Sequence, residues 1–195
     1  MKIIGITGGV GSGKSRVLSY LEENHHAVIC QADQVAWELQ ELGKQCYGKI
    51  VEQFGTSILN EDKTINRGQL GQIVFGSEEK LRILNAIMHP AVKEEIQIRI
   101  RKEKENGTKL FVLEAALLIE EHYDEICDEL WYIYTSEPIR RQRLKESRQY
   151  SDEKINAIMA SQLSEEMFRK GCHRIIDNSG DFSMTAAQLC DALAI

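Results

Sequence analysis

The sequence predicts an α/β protein built on a parallel sheet covered by helices on both faces. Three observations carry that reading. Strand-length apolar runs, most with β-branched or aromatic residues, fall at 3–7, 27–30, 110–113, 130–134 and 174–176. Stretches with helical spacing, such as 15–23 and 152–170, alternate with them, the order that lays strands parallel. Gly5, Gly8, Gly9, Gly11 and Gly13 all precede residue 14, so the first strand leads into backbone that a Cβ would obstruct.

Composition sets the outer limits. A chain of 195 residues, 43% hydrophobic and 28% charged, can bury a sizeable core and is too apolar to be disordered. Its net charge of −6 argues against wholesale binding of nucleic acid or an anionic membrane, while leaving room for a local basic pocket. Cys30, Cys46, Cys127, Cys172 and Cys190 are odd in number and show no C-x-x-C spacing, so neither a zinc site nor a redox dithiol is signalled. The apolar start at 3–7 is too short for a signal peptide, and no run of about 18 apolar residues occurs. A soluble, cytoplasmic protein is expected, and a monomer.

The first strand runs into Gly8-Gly9-Val10-Gly11-Ser12-Gly13-Lys14-Ser15, which fits G-x-x-x-x-G-K-[ST]. Glycines at these positions let backbone N–H groups converge on a phosphate. Lys14 would reach the β and γ oxygens, and Ser15 would set its hydroxyl on Mg²⁺. The helix starting near Lys14 adds the positive end of its dipole. Nucleoside triphosphate binding follows from this element.

The second strand ends in Cys30-Gln31-Ala32-Asp33. A carboxylate just past the end of a parallel strand lies in the crevice where such sheets bind ligands, so Asp33 is a candidate to orient an acceptor hydroxyl and take its proton. It is equally suited to cap a helix over 34–42. The long interval before the third strand reads as a helical insertion, with Leu81, Leu84, Ile87, Met88, Val92, Ile96 and Ile100 at helical spacing. Pro90 disfavours helix at His89 and is expected to present that ring at a bend. His25 and His26 read as solvated residues on the turn after the first helix. The segment between the last two strands is highly charged and reads as a pair of helices.

Several classes of triphosphate-binding protein are excluded. No Asn is followed by Lys, so the guanine-reading Asn-Lys-x-Asp is missing, and Asp177-Asn178-Ser179-Gly180 lies too late to act as a switch. Nothing points to a ring-forming motor ATPase. The remaining length suits a small-molecule kinase with an acceptor lobe and a water-excluding lid. A binding-only regulatory module and a kinase for another acceptor are the alternatives.

Several further segments carry a specific resemblance. They are Thr7 to Ser15, Ala32-Asp33-Gln34-Val35-Ala36, Ile65-Asn66-Arg67-Gly68-Gln69-Leu70 with Val74-Phe75, Leu84 to Pro90, Leu117-Leu118-Ile119-Glu120 and Ile176 to Gly180. In this order the chain resembles the dephospho-CoA kinase family over nearly its whole length. The resemblance implies a P-loop NTPase-type five-stranded parallel sheet with flanking helices (1–33, 109–136 and 171–195), a helical acceptor lobe (about 34–108) and a helical lid (about 137–170). It implies ATP-dependent phosphorylation of the ribose 3′-hydroxyl of dephospho-CoA, the last step of coenzyme A synthesis, with Mg²⁺ as cofactor.

Carried onto this sequence, the family's machinery implies a nucleotide site of Gly9, Gly11, Ser12, Gly13, Lys14, Ser15, Arg16 and Asn178. The acceptor would meet Asp33, Arg67, His89 and Leu117. Lys14, Asp33, Arg143 and Arg148 would be catalytic, with Mg²⁺ on Ser15 and, through water, Glu114. The chain departs from the family pattern in three places. Glu114-Ala115-Ala116 stands where Asp-x-Pro is common, Arg16 stands where Thr is usual, and Arg143 and Arg148 are five apart rather than four. Arg140 is therefore a further lid candidate.

Overall fold

The computed structural model describes residues 1–194. Its five strands are β1 (Lys2–Thr7), β2 (Val28–Gln31), β3 (Leu110–Glu114), β4 (Glu129–Tyr134) and β5 (Arg174–Asp177), each within a residue or two of the predicted runs. They form one sheet in the order β2-β3-β1-β4-β5, and β1 pairs parallel with β3 and β4, as β4 does with β5. The chain thus winds to one side of β1 and then to the other. The carboxyl end of β1 is the switch point where open parallel sheets take ligands.

Two compact units make up the chain, Met1–Ile29 with Glu103–Ile195, and Cys30–Lys102. In the first, one sheet face buries Ile4, Ile6, Val112, Trp131 and Ile133. They pack with Val17, Leu18 and Leu21 of α1 (Lys14–His25) and Leu189 and Ala192 of α9 (Phe182–Leu193). On the other face Tyr132 stacks on Phe168 of α8 (Glu165–Gly171), ring centroids 4.8 Å apart. A Cβ on Gly5 would stand 2.7 Å from Leu130 and 2.9 Å from Leu118, so this strand position must be glycine for the layer to close.

The charged segment folds as three helices rather than two: α6 (Glu137–Arg148), α7 (Asp152–Ala160) and α8. The stretch 152–170 does not run through. Ser164 accepts a hydrogen bond from the Met167 amide and so starts a new helix, which stops α7 at Ala160.

The second unit contains α2 (Ala32–Leu39), α3 (Tyr47–Phe54), α4 (Arg67–Phe75) and most of α5 (Glu78–Glu105). Two expectations fail here for identifiable reasons. Asp33 does not cap a helix over 34–42; α2 starts two residues earlier and Asp33 sits exposed in its first turn, where the helix dipole favours a carboxylate. Nor does Pro90 bend the chain at His89. The helix α5 runs 28 residues through it, because Met88, Ala91, Val92, Ile96 and Ile100 bury one continuous stripe on both sides of the proline. Pro90 and Ala86, four residues earlier, are both exposed, so water can serve the carbonyl whose partner the proline removes.

Candidate functional site

The glycine loop at the end of β1 is shaped by what holds its carbonyls. The Ser12 carbonyl accepts from Asn178 Nδ2 at 2.7 Å, from Thr135 Oγ1 at 3.0 Å and from Arg143 Nη1 at 3.4 Å. The Val10 carbonyl accepts from Arg140 Nε at 2.9 Å. In a trans peptide the N–H points opposite to the C=O, so anchoring these two oxygens turns the Gly11 and Gly13 N–H groups the other way. Gly11 and Gly13 take left-handed φ values of 79° and 83°, which a Cβ would penalise. Converging amides followed by the N-terminus of α1 make an anion cradle.

Lys14, the first residue of α1, donates from Nζ to the Gly8 carbonyl at 2.7 Å and lies 3.8 Å from a Glu114 carboxylate oxygen. Glu114 ends β3 and is in register with Ile6, so adjacent strands deliver the lysine loop and the carboxylate side by side. Ser15 is exposed one residue further along α1. Thr7 Oγ1 and Ser12 Oγ, both buried at this loop, have no hydrogen-bond partner within the described residues. Unmet polar capacity in a buried place points to a ligand or water site. The hydroxyl of Ser15 and the carboxylate of Glu114 are hard oxygen donors suited to a small divalent cation. Among the described residues no group of three or more His, Cys, Asp or Glu forms a cage. That suits an ion held mainly by phosphates and water.

The lid arginines differ in placement. Arg143 reaches Ser12 and Thr135 through Nη1 and the Asn178 carbonyl through Nη2 at 2.9 Å. Arg140 lies directly on the loop: a Cβ on Gly9 would collide with its guanidinium, and one on Gly11 would stand 2.9 Å from its carbonyl. Burial pushes the Arg140 guanidinium below its usual pKa, and its hydrogen bonds go to neutral oxygens of Val10 and Gln162. Arg148 is not brought to the loop; its guanidinium lies over the Tyr150 ring, 5.9 Å from the centroid.

Arg16 stacks on Phe182 at 4.1 Å. Asn178 is 3% exposed and its side chain is committed on both sides, donating to Ser12 and accepting from Thr185 Oγ1 at 3.0 Å. It clamps the loop. Leu117 is exposed beyond β3, while its neighbour Leu118 is fully buried. His25 is not on a free turn: it ends α1, meets Tyr20 edge to face at 5.6 Å, and has Nε2 3.7 Å from Cys190 Sγ.

In the second unit Arg67 opens α4 and lies over Trp37, 4.7 Å from its ring. These two residues with Gln40, Leu42, Asn60 and Asn66 line an open groove of about 430 Å³. Asn66 caps α4 by accepting from the Gln69 amide at 3.0 Å. His89 is partly buried on α5.

Sequence reasoning missed Gln162, between α7 and α8. Its Oε1 accepts from the Val10 amide at 3.1 Å and from Arg140 Nη2 at 3.1 Å. The partners are 152 residues apart, and no local pattern marks such a contact.

A parallel sheet of this order, a glycine loop with its lysine at the switch point, and an arginine-bearing helical segment laid on that loop define a phosphotransferase of the P-loop kinase class. Solved structures agree on the fold. A dephospho-CoA kinase from Campylobacter jejuni superposes with a TM-score of 0.74 at 24% identity, covering 100% of this chain and 98% of its own. A shikimate kinase from Bacteroides thetaiotaomicron matches more distantly, with a TM-score of 0.57 at 10% identity over 100% and 99% of the two chains. Sequence narrows the class. The family model described as dephospho-CoA kinase matches residues 2–183. A dephospho-CoA kinase from Carboxydothermus hydrogenoformans is 38% identical over 193 residues, 99% of this chain and 93% of the relative. One from Halalkalibacterium halodurans is 38% identical over 191 residues, 98% and 94%. The chain belongs to the dephospho-CoA kinase family, whose members are transferases.

Proposed function

We propose that this chain transfers the γ-phosphoryl group of ATP to the ribose 3′-hydroxyl of dephospho-CoA, the final step of coenzyme A synthesis, with Mg²⁺ as the cation. Membership of the family supports the substrates. The observation that carries the chemistry is Lys14, held at the N-terminus of α1 between the Gly8 carbonyl and the Glu114 carboxylate.

Phosphoryl transfer passes through a loose transition state with little for side chains to bond covalently, so positioning and charge neutralisation do most of the catalysis. In this reading the Gly11 and Gly13 amides and Lys14 hold the β and γ oxygens. Arg140 and Arg143 supply further positive charge from α6. Ser15, with Glu114 through water, would hold Mg²⁺, which neutralises charge on the β,γ-bridge when bound. Asp33 holds the acceptor hydroxyl in line and takes its proton late. Arg67, His89 and Leu117 bind the rest of the acceptor, and the segment 137–170 moves as a lid that excludes water.

No helix among the described residues is long and apolar enough to cross a membrane. A monomer acting in the cytoplasm is the simplest reading, supported by five cysteines that are all free of disulfides. The test is a transfer assay offering dephospho-CoA beside adenosine, nucleoside monophosphates and shikimate. Selective 3′-phosphorylation of dephospho-CoA is expected. Preference for another acceptor, or ATP binding without transfer, would overturn the proposal.

A further inference from the structure

We infer that Gln162 is a placeholder for a phosphate oxygen, covering the loop's Val10 amide and the Arg140 guanidinium until nucleotide takes both. The inference rests on the reading that ATP binds the glycine loop. It adds to that reading an internal competitor for the site.

The geometry is specific. One carboxamide oxygen, Gln162 Oε1, receives the Val10 N–H and Arg140 Nη2, each at 3.1 Å. Arg140 also donates Nε to the carbonyl of the same Val10. A loop amide and a guanidinium converging on one oxygen is the arrangement an anionic phosphate oxygen would receive, here offered to a neutral one. Arg140 makes no ion pair with a carboxylate among the described residues, and burial already costs it part of its charge preference. A half-buried cation bound only to neutral oxygens gains by exchanging one of them for an anion, since charge-assisted bonds are about twice as strong as neutral ones.

Gln162 is well placed to yield. It lies in the four-residue link between Ala160, the end of α7, and Glu165, the start of α8, and is only partly buried. The link can shift without disturbing either helix, since Ser164 caps α8 independently. While Gln162 is in place only a fraction of molecules present a free Val10 amide, and the apparent nucleotide affinity falls by that fraction. A neutral hydrogen bond nets enough to set the penalty at roughly two- to tenfold.

The test measures binding of a non-hydrolysable ATP analogue with Mg²⁺ by calorimetry. Binding by the unaltered protein establishes the nucleotide site itself, so failure there is a failure of the functional reading. The ratio between variant and unaltered protein then tests the placeholder alone. Gln162→Ala removes the competitor and should bind the analogue roughly two- to tenfold more tightly. Gln162→Glu gives Arg140 a carboxylate in place of the carboxamide and should bind at least about tenfold more weakly, the loss shrinking as salt rises. Hydrogen exchange of the Val10 amide gives a direct readout. Without nucleotide it should quicken in Gln162→Ala, and in both proteins the bound analogue should protect it. Equal or weaker analogue binding by Gln162→Ala, or unchanged Val10 exchange, would overturn the inference. Should that variant fold poorly, Gln162→Glu decides: affinity equal to that of the unaltered protein refutes the inference.

Discussion

Replacing Asn178 with aspartate tests whether the loop is held from behind by a neutral amide. The substitution is nearly isosteric, and the oxygen that accepts from Thr185 at 3.0 Å is kept. What is lost is the Nδ2 donor at 2.7 Å from the Ser12 carbonyl, which now faces a carboxylate oxygen. Asn178 is 3% exposed, so an ionised carboxylate there is poorly solvated and repelled by the carbonyl to which the amide donated. Losing one buried hydrogen bond with its partner left facing an anion costs about 2–3 kcal/mol. For a chain of this size that corresponds to a fall in Tm of roughly 4–12 °C. Protonation relieves the clash, because a carboxylic acid can donate to Ser12 again.

The sign of the pH dependence follows. Burial and the facing Ser12 carbonyl raise the folded-state pKa of the introduced carboxyl above the unfolded value of about 3.9. The downward pull from the Arg143 guanidinium is smaller, because its donors are already committed to the Ser12 and Asn178 carbonyls, so the folded protein binds the extra proton more tightly. The Asn178→Asp variant should therefore approach the stability of the parent near pH 4 and lose ground as pH rises, until it passes the folded pKa. Denaturation curves between pH 4 and 8 measure this, and analogue binding at pH 8 should weaken in parallel because the Ser12 carbonyl loses the shortest of its three donors. Equal stability of variant and parent at pH 8, or a deficit that shrinks with rising pH, would refute the clamp.

Three shorter predictions accompany it. Asp33→Asn should leave nucleotide affinity nearly unchanged and lower kcat about 10²- to 10⁴-fold, the span of a positioned base; near-native turnover in the transfer assay would assign the proton to another group. Glu129 is partly desolvated, which works against its charge, but donors from Trp131, Arg174 and Lys2 outweigh this and hold its pKa at about 2. Glu129→Gln should thus cost about 1–2 kcal/mol above pH 4.5 after allowance for solvent screening, and the difference should vanish as pH falls through 2, read from acid denaturation curves. Burial pushes the Cys30, Cys127 and Cys172 thiols up to about 11, 12 and 12, whereas Cys190 is exposed. A thiol reagent at pH 7.5 should modify Cys190 first in the folded protein, with the others following only on denaturation.

Much of this molecule can be read from local signals. The strands announce themselves as β-branched and aromatic runs, and the glycine loop needs a residue pattern so particular that its place at the end of β1 follows from eight positions. Capping serines are also local, yet Ser164 competes with a continuous helical pattern that hides the break it makes. Pro90 misleads for the opposite reason. Its local preference is real, but a buried stripe 13 residues long on α5 outweighs one missing hydrogen bond. The contacts that shape the site, Gln162 on Val10, Asn178 on Ser12 and Arg143 on the Asn178 carbonyl, join residues 35 to 166 positions apart. Any amide or guanidinium side chain could serve there, so Asn178 and Arg143 are marked only by the family resemblance, and nothing in the neighbouring sequence singles out Gln162.

The crowding of Gly9 and Gly11 by Arg140 has a bearing on how interchangeable such loops are. At Gly11 smallness is demanded twice, once by the phosphates the amides must approach and once by the α6 backbone lying across it, while at Gly9 the neighbour is the end of the Arg140 side chain. A loop borrowed from a relative whose overlying helix sits higher could satisfy the first demand and fail the second, binding triphosphate while holding that helix ajar. The motif is therefore not a detachable cartridge. In this chain the eight residues of the loop and the helix that roofs it form one inherited part, and a graft that keeps the chemistry must carry both.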